Sequence, residues 1–325
     1  MSVNHRHSNR LGLLALATNC LGLYACSGAP APSDGAGISS VDQELLLQFD
    51  PDRLRNGKTQ TLVEGIKSIE NQLFTKSGRL LVTGDEGIFE IVVGAGGDYQ
   101  AKPVHTGETC WFGGITEYRD TVYANCYDMT NGNASLFASP VTTATDELEF
   151  RVIHSLPGVA LANGLTADGN GNLFVASTFD GKIIRLRVQD GDPLSIVAQD
   201  DFNARSGAFT NGLKYFDANL YWTAFTTLYA APIKGDGTAG PTRMLSSEFT
   251  FFDDLYVDGN GIWQADYLNG TIVASEHDGT VQASTRTGSF DGPSSLQPAY
   301  GRLRLPPEAF LVTEKNQNRL SLYVQ

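Results

Sequence analysis

The sequence predicts an all-β fold, a six-bladed β-propeller of four-stranded antiparallel blades around a central channel, and three observations carry that reading. First, three segments share one template: a two-residue Asn-Gly or Asp-Asp opening, a few apolar residues, a Gly-rich turn and an aromatic strand. They run Ala162-Asn163-Gly164-Leu165 before Leu173-Phe174-Val175, Thr210-Asn211-Gly212-Leu213 before Leu220-Tyr221-Trp222, and Phe252-Asp253-Asp254-Leu255 before Gly261-Ile262-Trp263. Second, Asn163, Asn211 and Asp254 are spaced by 48 and then 43 residues, the length of a four-stranded blade, for which about 40–50 residues is usual. Third, 41% of the 325 residues are hydrophobic, 18% are charged and 35 are Gly, a composition that suits a turn-rich β chain better than a helical one.

The chain opens differently from how it continues. His5, Arg6, His7 and Arg10 precede an apolar stretch from Leu11 to Ala25, and a Ser/Pro/Gly-rich segment from Ser27 to Ser40 follows. A basic start, a short apolar core and small residues describe a secretory signal over 1–25, because a membrane span needs about 20 apolar residues. Leu23-Tyr24-Ala25-Cys26 resembles the bacterial lipobox, in which the leader is cut before a Cys that is then acylated. Tyr24 departs from that pattern and leaves ordinary cleavage after Ala25 open. The expectation is an exported bacterial protein of the periplasm or cell envelope, lipid-anchored at Cys26, with 26–42 a flexible tether and 43–325 the propeller.

Within the propeller the blades follow in order. The first runs through Asn71 to Phe74, Arg79 to Val82 and Gly87 to Ile91, with Ser77-Gly78 and Asp85-Glu86-Gly87 turns. The second holds Gly114 to Glu117, Thr121 to Ala124 and Ser135 to Ala138. The third spans Asn163 to Ala198, punctuated by Asp168-Gly169-Asn170-Gly171-Asn172 and Asp180-Gly181. The fourth starts at Asn211, the fifth at Asp254, and the sixth is Tyr300 to Gln325 with three strands of its own. Thr59 to Glu64 supplies its fourth, so that an N-terminal strand closes the ring and removes the sheet edges an open stack would leave. Gln43 to Phe49 reads as one helical turn or two. Cys110 and Cys126 flank strands of the second blade, and a structural disulfide between them is expected in an oxidising compartment.

With 23 Lys and Arg against 36 Asp and Glu the net charge is −13, and no basic run offers the footprint a nucleic acid would need. No Gly-x-Ser-x-Gly elbow, P-loop or Cys/His zinc spacing appears. Equivalent positions of successive blades converge on the axis, so Asn163, Asn211 and Asp254 are expected to meet at one end of the channel, a first indication of an oxygen-ligand metal site.

From about residue 60 onward, order and spacing resemble the gluconolactonase, regucalcin (senescence marker protein) and luciferin-regenerating enzyme family of six-bladed calcium propellers. The places that carry the resemblance are Ser68-Ile69-Glu70-Asn71-Gln72-Leu73-Phe74, Ala162-Asn163-Gly164, Thr210-Asn211-Gly212-Leu213, and Asp253-Asp254-Leu255 with its downstream Gly-Ile-Trp. The resemblance implies that Glu70, Asn163, Asn211 and Asp254 hold one divalent metal, with Glu64 the fallback for the first. Two carboxylates and two amide carbonyls give hard oxygens alone, which select Ca²⁺, with Mg²⁺ or Mn²⁺ also acceptable, over zinc. It further implies lactone or ester hydrolysis, the metal polarising the carbonyl and Asp254 acting as general base.

One departure bears on the substrate. Sugar lactonases of that family carry an Arg two residues before the third-blade Asn, and here the position is Leu161. Leu161, with the aromatics Trp111, Phe112, Phe209, Trp222, Phe251 and Phe252 nearby in sequence, points to a more hydrophobic small-molecule substrate or to a non-catalytic, calcium-stabilised propeller that binds a ligand or partner. His105 and His154, ahead of the second and third inner strands, offer a rival catalytic pair. A monomer is expected.

Overall fold

The structure, a computed structural model, describes residues 51–107, 109–145, 147–203 and 209–325. The expected leader, Cys26, the tether and the Gln43 to Phe49 turn lie outside them. Every described strand belongs to one of six four-stranded antiparallel sheets. The short helix α1 (Pro51–Asn56) leads into β1 (Lys58–Glu64), and the first blade follows as β2 (Gln72–Phe74), β3 (Leu80–Gly84), β4 (Gly87–Val93) and β5 (Tyr99–Thr106). The second is β6 (Trp111–Tyr118), β7 (Thr121–Asp128), β8 (Asn133–Pro140) and β9 (Arg151–Ser155). The third is β10 (Ala162–Ala167), β11 (Asn172–Ser177), β12 (Lys182–Gln189) and β13 (Asp192–Asn203). The fourth is β14 (Thr210–Phe216), β15 (Asn219–Ala224), β16 (Thr227–Pro232) and β17 (Arg243–Ser247), and the fifth β18 (Phe252–Asp258), β19 (Gly261–Asp266), β20 (Thr271–Ser275) and β21 (Val281–Ser284). The sixth is β22 (Pro293–Pro298), β23 (Ala309–Glu314) and β24 (Arg319–Val324), completed by β1.

The first strand of each blade is innermost, and β2, β6, β10, β14, β18 and β22 touch in that order and back to β2, which closes the ring. Closure is as expected: β1 lies antiparallel against β24, from Lys58 opposite Val324 to Glu64 opposite Arg319. Blades stack face to face and bury apolar side chains between neighbouring sheets. Each interface has its own cluster, such as Phe174, Ala176, Ile183 and Phe202 against Leu213, Leu220 and Trp222 between blades three and four. Phe112, Trp222 and Phe252 are fully buried in this packing and leave the list of expected pocket residues. Cys110 and Cys126 form the expected disulfide, their Cα atoms 5.6 Å apart.

Three expectations are corrected. The inner strand of the sixth blade is Pro293–Pro298, ahead of Tyr300; its Pro-Ser-Ser-Leu-Gln-Pro sequence has turn chemistry, but the prolines bracket the strand and do not interrupt it. The fifth inner strand begins at Phe252, two residues before Asp254. His105 and His154 sit on β5 and β9, the outermost strands of their blades, and not at the channel mouth. His105 packs among Phe112, Phe137 and Phe150, and His154 Nε2 pairs with Gln199 Oε1 at 3.1 Å. Neither offers a dyad.

Candidate functional site

The inner strands start at one end of the channel, and five of them break register there. Pairing with the second strand skips between Phe112 and Ile115, Ala162 and Leu165, Thr210 and Leu213, Phe252 and Leu255, and Pro293 and Ser295. Such a bulge re-aims side chains that strict alternation would send into the blade. In register, Asn163, Asn211 and Asp253 occupy the first bulge position and Gly164, Gly212 and Asp254 the second. The residue equivalent to the two asparagines is therefore Asp253, with Asp254 beside it. The first blade reaches the same place with Glu70 and Asn71, whose backbone groups pair with those of Thr83.

Backbone crowding explains the glycines. A Cβ on Gly164 would lie 2.3 Å from the Asn211 carbonyl oxygen, and one on Gly212 2.4 Å from Asp254 Oδ1. Adjacent inner strands thus touch, and polar side chains of the second strands lock them. Thr83 Oγ1 accepts from Asn71 N–H at 3.0 Å and donates to the Gly113 carbonyl of the next blade at 2.6 Å. Asn125 repeats this with Gly114 N–H and the Asn163 carbonyl, and Thr223 with Gly212 N–H and the Asp253 carbonyl. These clamps fix the backbone that carries the site, and their motif-free positions gave the sequence reading no signal for them.

Glu70, Asn163, Asn211, Asp253 and Asp254 are all buried, none more than 6% exposed. Lys315 Nζ lies 2.5 Å from Glu70 Oε2 and 4.8 Å from the centre of the Trp111 ring. Asn71 Nδ2 donates to Asp254 Oδ2 at 3.2 Å, and Lys214 Nζ is 3.4 Å from the same oxygen. Asn211 Nδ2 donates to Asp253 Oδ1. Asp254 Oδ1 is buried without a hydrogen-bond partner. Burial, with Glu70 next, pushes the Asp253 carboxyl well above the ordinary carboxylate range. Glu70 is raised too, by burial against the pull of Lys315. Burial alone would lower Lys315, but Glu70 and Asp253 hold it above the usual lysine value.

Three carboxylates are thus brought together with two ammonium groups, an imbalance a low-dielectric site tolerates poorly. The donor chemistry fits a hard divalent cation: carboxylate oxygens of Glu70 and Asp253, amide oxygens of Asn163 and Asn211, and the orphaned Asp254 Oδ1. Among the described residues no three His, Cys, Asp or Glu side chains form a metal cage by themselves, so an ion here depends on the asparagines and on displacing Lys315 from Glu70. Glu64, the fallback, lies exposed on β1 at the rim of the sixth blade. Beside the cluster is a pocket of about 230 Å³ lined by Ser68, Asp85, Trp111, Met129, Leu161 and Lys315, so Leu161 is at the site, as its sequence position suggests.

Asp253, Asn71, Lys214 and Lys315 are absent from the set read from sequence. Asp253 was findable: aligning the repeats on Leu165, Leu213 and Leu255 puts it in the asparagine column. Lys315, on the turn between β23 and β24, has no repeat partner to reveal it.

Solved structures resemble this fold. A luciferin-regenerating enzyme superposes with a TM-score of 0.62 at 10% identity, over 83% of this chain and 96% of that one. The PQQ-bound aldose sugar dehydrogenase from Streptomyces coelicolor gives 0.56 at 15% identity, over 83% and 98%. Virginiamycin B lyase from Staphylococcus aureus gives 0.54 at 11%, over 83% and 99%. At these identities the likeness shows the propeller fold. No protein-family model and no curated protein matches the sequence.

Proposed function

We propose that the chain is an exported hydrolase of an ester or lactone, with a divalent cation, Ca²⁺ first, held at the channel end by Glu70, Asn163, Asn211 and Asp253, and Asp254 acting as general base. The observation that carries the reading is the buried excess of carboxylate over ammonium at the channel end, where Glu70, Asp253 and Asp254 meet Lys315 and Lys214. When bound, such an ion polarises the substrate carbonyl. Asp254 Oδ1, buried and unpaired, is free to take a proton from water as its oxygen attacks the carbonyl carbon. The C–O bond to the leaving group then breaks, and the same carboxyl returns the proton to the departing alkoxide. Asn71 and Lys214 hold the other oxygen of Asp254 and so fix the direction of that proton transfer. Fold neighbours with enzyme names, the luciferin-regenerating enzyme among them, are consistent with chemistry at such a channel end.

The Lys315 to Glu70 ion pair favours a second reading, a binding propeller in which charge pairing staples the inner strands. A panel of aryl esters and lactones assayed after EGTA stripping and again after Ca²⁺ refilling separates the two. Hydrolysis that disappears with EGTA, returns with Ca²⁺ and falls at least about 100-fold in Asp254→Asn, as loss of a general base does, supports the hydrolase. No calcium-dependent turnover in wild type on any substrate rejects it.

A further inference from the structure

Ten large apolar side chains are exposed among the described residues. Val152, Val197, Met244 and Val281 lie on the outermost strands of their blades. The other six, Met129, Phe179, Phe209, Phe225, Phe249 and Leu268, all lie in loops at the channel end where the inner strands start. At that end is also an ordered row of rings: Phe209 to Phe225 at 5.6 Å, Phe225 to Phe251 at 5.6 Å, and Phe251 to Tyr267 at 5.9 Å between centroids. Backbone bonds brace it, from Phe209 N–H to the Thr178 carbonyl, Phe225 to Phe209, Phe252 to Phe225 and Tyr267 to Phe251. Phe209 and Phe225 sit at φ of 68° and 54°, a left-handed conformation that bulky residues adopt rarely and that is concentrated at ligand sites.

The row leads to the carboxylates. Tyr267 Oη donates to Asn316 Oδ1 at 2.6 Å, next to Lys315, and its phenol lies within the electrostatic reach of Lys315, Asp253 and Glu70. The pocket lined by Ser68, Asp85, Trp111, Met129, Leu161 and Lys315 adjoins the other end of the row, where Thr178 donates its N–H to the Leu161 carbonyl and accepts from Phe209 N–H. Two apolar surfaces therefore border one polar centre, the row contributed by blades four and five and the pocket mainly by blades one to three.

We propose that these surfaces bind the two sides of an open-chain ester, the Trp111, Met129 and Leu161 pocket taking one apolar group and the Phe209 to Tyr267 row an extended one, with the scissile carbonyl over the carboxylates. This rests on the hydrolase reading and names its substrate class. A compact lactone would fill one surface and leave the other wet, and a polyhydroxylated sugar would find few hydrogen-bond partners on either. The row is a single file of four rings that reaches the polar centre through Tyr267 and Asn316, which fits one chain of a small molecule better than a broad partner surface.

The test uses 4-nitroanilides of acetic, butyric, hexanoic and octanoic acid, amide counterparts of 4-nitrophenyl esters that bind without needing turnover, titrated calorimetrically into the Ca²⁺-loaded protein. In wild type the Kd should fall about twofold per added methylene, as half-burial of each CH₂ implies. Phe209→Asn with Phe225→Asn, chosen because Asn tolerates positive φ, should make Kd independent of length, and Phe249→Asn, on the same face but outside the row, should not. Wild-type binding independent of length, a length dependence unchanged in the double variant, or binding of the wild-type face to phosphatidylcholine vesicles with no binding of any anilide overturns the proposal. Length-dependent anilide binding without ester hydrolysis keeps this lane and rejects the hydrolase reading, so the two failures are distinguishable.

Discussion

The Lys315 ammonium meets Glu70 Oε2 at 2.5 Å and the face of Trp111 at 4.8 Å, which makes it the resident cation of a site whose oxygen donors suit a divalent one. Binding of an ion then requires Lys315 to leave Glu70 or to tolerate a second positive charge close by. Like charges a few ångströms apart repel by several kcal/mol at the effective dielectric of about 20 that partly buried pairs feel. Lys315→Met removes the competitor while keeping a side chain that packs on Trp111. Its Ca²⁺ Kd, measured by calorimetry on chelator-stripped protein, is expected to be about tenfold or more tighter than wild type, a modest fraction of that repulsion. Equal or weaker binding would mean that Glu70 is not a ligand. Glu70, Asn163 and Asn211 belong to recognisable segments of the sequence, whereas Lys315 reaches the axis from a turn of the last blade, and only the closed ring brings it there.

At the scale of the strand, what positions Asn163, Asn211, Asp253 and Asp254 is the bulge at the start of their inner strands, and buried side chains of neighbouring second strands clamp that backbone. Thr223 Oγ1 accepts from Gly212 N–H at 2.9 Å and donates to the Asp253 carbonyl at 2.7 Å, fully buried. Thr223→Val keeps the shape and strands both backbone groups, each costing about 1–3 kcal/mol when left unsatisfied. Calorimetric melting of the variant should show a Tm lower by at least about 4 °C, given roughly 2–4 °C per kcal/mol in a domain of this size. Ca²⁺ affinity should fall as well, because Asp253 loses its anchor; an unchanged Tm would show that the clamp contributes nothing. The bulge also puts Asp253, one residue before Asp254, at the register position of the two asparagines. The repeats were read from their polar pair, where Asn-Gly and Asp-Asp align ambiguously, but the leucines two residues on, at Leu165, Leu213 and Leu255, fix the column to Asp253. The sixth inner strand escaped for a related reason: Pro293-Ser294-Ser295 has turn residues, and ring closure alone makes it a strand.

For the whole molecule the decisive contact is the one between the ends of the described chain. β1 pairs along its length with β24, Leu62 and Val63 join the cluster between blades one and six, and Tyr323 Oη donates to the Leu54 carbonyl. Because Lys58 faces Val324, the start of β1 lies beside the end of β24, close enough for a hairpin turn of two to four residues. This geometry separates the value of the pairing from the value of its position in the chain. Deleting residues 51–64 leaves β24 as an unpaired edge and the sixth blade with three strands, and the product is expected to melt at least about 10 °C lower or to aggregate, as exposed edges do. Moving residues 58–64 to the C-terminus, joined after Gln325 by a Gly-rich linker of about four residues, restores the same pairing from the other side. That permuted chain should recover most of the lost Tm and bind Ca²⁺ with wild-type affinity, because the axial donors lie far from the new ends. A deletion that melts like wild type would show the ring to be held by its blade interfaces alone, and a permuted chain no better than the deletion would show that closure needs α1 and its Leu54 anchor in addition to the strand.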